Sequence, residues 1–65
     1  MLDEEESVRA AAQETMEAFP AAVADYTGGK MAAIGRLIGE TIRRTGGRAR
    51  PDQVRRILED ELGRR

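Results

Sequence analysis

Lys30 to Leu62 reads KMAAIGRLIGETIRRTGGRARPDQVRRILEDEL, two helical periods separated by a single turn. Met31, Ile34, Leu37, Ile38 and Ile42 recur at three- and four-residue spacing, which predicts one apolar stripe on a helix from about Lys30 to Thr45. Thr45-Gly46-Gly47 stops that helix, since glycine accepts the left-handed backbone that closes a helix at low cost. Pro51 opens the next helix, where its missing N–H has no intrahelical partner to lose. Val54, Ile57, Leu58 and Leu62 give that helix an inward face, and Gly63 ends it. Gly35 and Gly39, four apart, share a second and narrower face of the earlier helix. Two glycines in a helix cost about 2 kcal/mol relative to alanine. Close approach by a neighbouring helix is the expected return, with simple tolerance as the alternative.

Upstream, Asp3 and Glu6 have the spacing of a capping box, and the acids there suit the positive end of a helix dipole. Val8, Ala12, Met16 and Phe19 then fall on one face. Pro20 ends this segment and starts a short second helix carrying Val23 and Tyr26, which Thr27-Gly28-Gly29 stops. The expected fold is all-α, a small three- to four-helix bundle with antiparallel packing across short connections. It divides into an acidic N-terminal helix (residues 1–19) and a helical subdomain (20–65), one compact unit overall. The Thr-Gly-Gly-basic pattern occurs twice, at Thr27–Lys30 and Thr45–Arg48, and reads as reuse of one helix stop.

At 65 residues the chain holds one small core, of the kind that rarely contributes more than about 3–5 kcal/mol. It has no cysteine, histidine or tryptophan, and two aromatic residues, Phe19 and Tyr26. No disulfide or thiolate metal site can reinforce it, and no apolar run approaches a membrane span.

Charge is segregated. The net charge is −1, yet Lys30–Arg56 carries eight basic side chains (Lys30, Arg36, Arg43, Arg44, Arg48, Arg50, Arg55, Arg56) against Glu40 and Asp52. Residues 1–19 carry six acids against Arg9. Such segregation points to a polyanion partner. Gly46-Gly47-Arg48-Ala49-Arg50-Pro51 leads into a helix N-terminus, where backbone N–H groups and two guanidinium groups suit a phosphate, with Arg43 and Arg44 one turn earlier. The same residues also suit a plain helix cap with solubilising arginines, and Glu40 can pair with Arg36 and with Arg43 or Arg44.

Catalysis fits poorly. The commonest general base and the best nucleophile are absent. Glu59, Asp60 and Glu61 are consecutive, point in different directions and read as a solvated face, as do Glu4, Glu5 and Glu6. No spacing resembles a calcium loop. Gly29-Lys30 is not a P-loop, because Ala24 stands where a glycine is needed and Met31 where Ser or Thr is. Tyr26 suits a core edge better than a stacking platform, so RNA contact should be to backbone and shape.

Pro20, Val23, Tyr26, Gly29 and Lys30, then Leu37, Ile38 and Gly39, then Thr45, Gly47, Arg48, Ala49, Pro51, Val54, Ile57, Leu58 and Leu62 follow in unbroken register. This resembles the C-terminal tail of the GatB/YqeY family, and the turn Thr-x-Gly-basic-Ala-x-Pro looks more like the GatB version. Two positions depart from it. Phe19 and Arg50 stand where the family often has an Asn or Asp cap, which costs the last helix about 1 kcal/mol. The family domain is about twice this length, so the chain looks like an excised C-terminal subdomain with Met1 as an added or alternative start.

The resemblance implies a non-catalytic tRNA-binding appendage of the GatB subunit of a tRNA-dependent amidotransferase, an ATP- and Mg²⁺-using ligase whose chemistry lies in another domain. The tail would touch the tRNA elbow. A glutaminyl-tRNA synthetase appendage is the same-class alternative. A protein-docking module, using the glycine face of the third helix or an exposed apolar patch left by the missing half, is the alternative of another class. Candidate contacts are Lys30, Arg36, Arg43, Arg44, Arg48, Arg50 and Arg55, with Gly46 and Gly47 allowing close approach. The expected partners are tRNA and other domains or subunits of the parent, with no membrane, no DNA specificity, no cofactor in this segment and a cytoplasmic setting.

Overall fold

The structure, a computed structural model, describes residues 3–64. Met1, and with it the reading of an added start, lies outside the described residues. Four helices follow one another: α1 (Glu4–Ala18), α2 (Pro20–Thr27), α3 (Ala33–Arg44) and α4 (Pro51–Gly63). The Asp3 carboxylate accepts the Glu6 N–H at 2.8 Å and caps α1 as its spacing predicts. α2 and α4 each begin at a proline, and their N-cap residues, Phe19 and Arg50, make no side-chain capping bond.

α3 packs on all three other helices. Thr15 of α1 meets Thr41, while Phe19 at the end of α1 meets Arg36, so α1 and α3 run antiparallel. The core joins Val8, Ala12 and Met16 of α1, Ile34 and Leu37 of α3, Ala49 of the turn, and Val54, Ile57, Leu58 and Leu62 of α4. α2 contributes no fully buried residue, only the half-buried Ala22, Val23 and Tyr26 against its edge. Burying one leucine stabilises by about 1.5–3 kcal/mol. Leu37 and Leu58, both wholly buried, therefore supply a large share of what so small a core can offer.

One buried polar contact interrupts the apolar seam. The Thr41 hydroxyl donates to the Thr15 hydroxyl at 3.0 Å, and Thr15 donates to the Ala11 carbonyl at 2.9 Å. No buried side-chain N or O among the described residues lacks a hydrogen-bond partner.

Three sequence expectations are corrected. The third helix starts at Ala33 rather than near Lys30, after tight three-residue turns from Ala33 to Lys30, Ile34 to Met31 and Gly35 to Ala32. These turns swing Met31 off the apolar stripe, and it is 60% exposed. Gly35 and Gly39 admit no neighbouring helix: a Cβ at either would meet nothing within 4 Å. α3 packs through Ile34, Leu37 and Thr41, which leaves the glycines facing out. Glu61 is not on a solvated face, because α4 turns it inward against α1.

Candidate nucleic-acid interface

The turn between α3 and α4 is built by its two glycines. Gly46 and Gly47 both have positive φ, 72° and 81°. Their N–H groups return to the helix, Gly46 to the Arg43 carbonyl at 3.1 Å and Gly47 to the Ile42 carbonyl at 3.0 Å. This double closure satisfies the last carbonyls of α3. These two amides are therefore engaged, and what the glycines offer a ligand is bare surface, with nothing within 4 Å of either Cβ position. The amides left without an acceptor are those of Arg48 and Arg50 in the turn and of Asp52 and Gln53 in the first turn of α4, where Val54 N–H to Arg50 is the first backbone bond. The Asp52 carboxylate sits at that same positive dipole end and competes there with an incoming anion.

Two clefts open at this corner. One, of about 450 Å³, lies between the first turns of α1 and the α3–α4 turn, and is lined by Glu4, Ser7, Val8, Arg44, Thr45, Arg48 and Ala49. The other, of about 330 Å³, is lined by Glu4, Arg50, Asp52, Gln53 and Arg56. The corner thus brings together Arg44, Arg48 and Arg50 from the predicted set, and adds Arg56. Arg55, on the neighbouring face of α4, is held instead by Glu59 at 3.4 Å. Lys30 lies beyond the opposite end of α3, a helix about 18 Å long. Arg43 projects into solvent and pairs loosely with Glu40 at 3.8 Å, while Arg44 pairs with Glu40 at 3.6 Å. Arg36 takes no part in that pairing and lies over the Phe19 ring.

A second charged group, at the α1–α4 contact, has no local sequence signature. Arg9 donates to Glu61 and to Asp60 at 2.8 Å, Gln13 donates to Glu61 at 3.1 Å, and Arg64 pairs with Asp60 at 3.1 Å. The Gln13 hydrogen bond, followed by the Arg9 contacts, holds the Glu61 carboxyl below its ordinary pKa against the opposing effect of burial. Asp60 is lowered chiefly by its bond from Arg9. These acids are committed to a structural contact between helices.

Among the described residues no three acidic, histidine or cysteine side chains come together as metal ligands. None of the helices described is long and apolar enough to cross a membrane.

Comparison with known proteins places the chain in a family. Residues 1–62 match the GatB domain, so the acidic α1 falls within the match along with the rest. The chain is 46% identical over 61 residues (94% of its length) to the GatB subunit of the aspartyl/glutamyl-tRNA(Asn/Gln) amidotransferase of Thermomicrobium roseum. It is 40% identical over 60 residues (92%) to the same subunit from Thermus thermophilus, and 36% identical over 64 residues (98%) to that from Geobacillus kaustophilus. The matched segment spans 13% of each of these relatives. No solved structure matches significantly. The chain is a small all-α domain of the GatB kind, and it belongs to the GatB domain family.

Proposed function

We propose that this domain is a non-catalytic tRNA-binding tail of an amidotransferase GatB subunit, gripping the RNA backbone at the α3–α4 corner. The observation that carries the reading is the convergence of Arg44, Arg48, Arg50 and Arg56 on two adjoining clefts at the N-terminal ends of α1 and α4. The α4 N-terminus and the guanidinium groups of Arg48, Arg50 and Arg56 suit sugar-phosphate oxygens, whereas the α1 N-terminus is already occupied by Asp3 and the acids of its first turn. The names of the relatives carry tRNA as the substrate of the whole enzyme. In this reading ATP, Mg²⁺ and the ligation belong to other parts of the parent, which works in the cytoplasm with its partner subunits. A synthetase appendage would use the same corner.

The test is a salt titration of tRNA binding. With about four phosphates neutralised, log K should fall against log salt with a slope of about −3 for single-stranded to −3.6 for duplex RNA. Replacing Arg48 and Arg50 with alanine should weaken binding and flatten the slope by about 1.4–1.8. An unchanged slope removes the contact from this corner. The outward glycines of α3 favour a second reading, a protein-docking face. That reading predicts partner binding that is insensitive to salt.

A further inference from the structure

Phe19 stands at the junction of α1 and α2, packed half-buried against the core. Its ring centroid lies 5.0 Å from the guanidinium carbon of Arg36 and 5.9 Å from that of Arg44. These two arginines are eight residues apart on α3, about 12 Å along the axis, and the ring contacts both. Arg44 is also held by the Glu40 carboxylate at 3.6 Å. A guanidinium resting on an aromatic ring keeps its edge N–H groups available, and the edge is what grips a phosphate.

We propose that Phe19 is a positioning residue, which orients Arg36 and Arg44 for RNA phosphates and extends the arginine corner along α3 to Arg36. The inference rests on the RNA-backbone reading of the corner. It assigns Arg36 to the same surface as Arg48, although Arg36 sits in the opposite half of α3 and lines the small cleft beside Phe19, Pro20 and Asp25.

The test is fluorescence anisotropy with tRNA at low salt, using the whole chain. F19L should bind about two- to fivefold more weakly, and F19W should restore binding. In an R36A/R44A background, F19L should cost nothing further. An equal loss in both backgrounds overturns the proposal, because the ring then acts through the fold. So does unaltered binding by F19L where R36A/R44A is weakened. In the RNA-free protein, ¹⁵Nε relaxation should show Arg36 and Arg44 more ordered in the wild type than in F19L, and equal order overturns the positioning role. A wild-type chain that fails to bind tRNA removes the RNA reading itself, a result separable from a failure confined to the ring.

Discussion

Thr27-Gly28-Gly29-Lys30 and Thr45-Gly46-Gly47-Arg48 have the same pattern and close their helices one residue out of phase. In the first turn Thr27 is still helical, Gly28 is the cap at φ −84°, and only Gly29 is left-handed, at 110°. In the second Thr45 is the cap, and both glycines are left-handed. The pairs of closing bonds are equivalent: Lys30 N–H to Asp25 and Gly29 N–H to Tyr26 in one, Gly47 N–H to Ile42 and Gly46 N–H to Arg43 in the other. The difference lies downstream. The Thr27 hydroxyl only donates back to the Val23 and Ala24 carbonyls. The Thr45 hydroxyl donates to Ile42 and also accepts the N–H of Ala49, whose side chain enters the core. A short motif sets the kind of closure, and the residue that must be buried next sets its phase.

The largest expected effect is on the glycines. Alanine in left-handed backbone costs about 1–2 kcal/mol per residue. G46A/G47A should therefore cost about 2–4 kcal/mol in urea denaturation, and G28A/G29A clearly less. Gly28 has ordinary φ, and its added Cβ would only crowd the Ala24 carbonyl oxygen at 3.1 Å. Equal losses at the two turns would break the comparison.

The threonines come next. T45A leaves the Ala49 N–H without its acceptor and should cost about 1–3 kcal/mol. T27A, exposed and bonded only within its own helix, should stay within about 0.5 kcal/mol of wild type. Thermal melts of the two variants at matched concentration decide the point.

Between the turns, on the exposed side of α3, the sign reverses. Gly35 and Gly39 have room for a Cβ, so alanine at either should stabilise by about 0.4–1 kcal/mol, chiefly by restricting the unfolded chain. A loss of stability at either position would mean that α3 packs differently from the structure.

The smallest expected difference between the turns is their response to acid, because the sensitive contact lies outside both. Glu61 and Asp60 titrate below their ordinary values in the fold. A depressed native pKa gives stability that is present above the unfolded value and lost as pH falls through the native one. Acid unfolding should therefore steepen below the ordinary carboxylate range, at about pH 4. E61Q should flatten that limb while leaving the relative order of the turn variants unaltered. An acid limb identical in E61Q and wild type would show that the Gln13 and Arg9 contacts do not hold the Glu61 carboxylate.

Local spacing made most of the fold legible. Asp3 with Glu6, the two prolines and the two glycine pairs mark helix ends within about three residues, and the stripes on α1 and α4 name their buried faces. What stayed hidden depends on neighbours far apart in the chain. Glu61 looked solvated because its partners, Arg9 and Gln13, lie 52 and 48 residues away. Thr15 and Thr41 are 26 apart, and neither residue type announces burial. At the corner, the charge run identified the region but not its members. Arg55 and Arg56 are adjacent, and only the rotation of α4 decides that Arg56 lines the cleft. Its place one turn after Asp52, with side chains leaning toward the helix N-terminus, is the signal that could have found it.

The hydroxyl pair between α1 and α3 has a consequence for how this domain keeps a single arrangement. Aliphatic side chains are forgiving partners, and a helix displaced by one turn can still cover most of them. A slide that parted the two threonines would leave Thr15 its bond to the Ala11 carbonyl but strand the Thr41 hydroxyl in hydrocarbon, at about 1–3 kcal/mol. That is a sizeable share of what a core of this size contributes. The least greasy contact in the interior is thus the one that indexes the helices, as a dowel fixes two boards that glue alone would let creep.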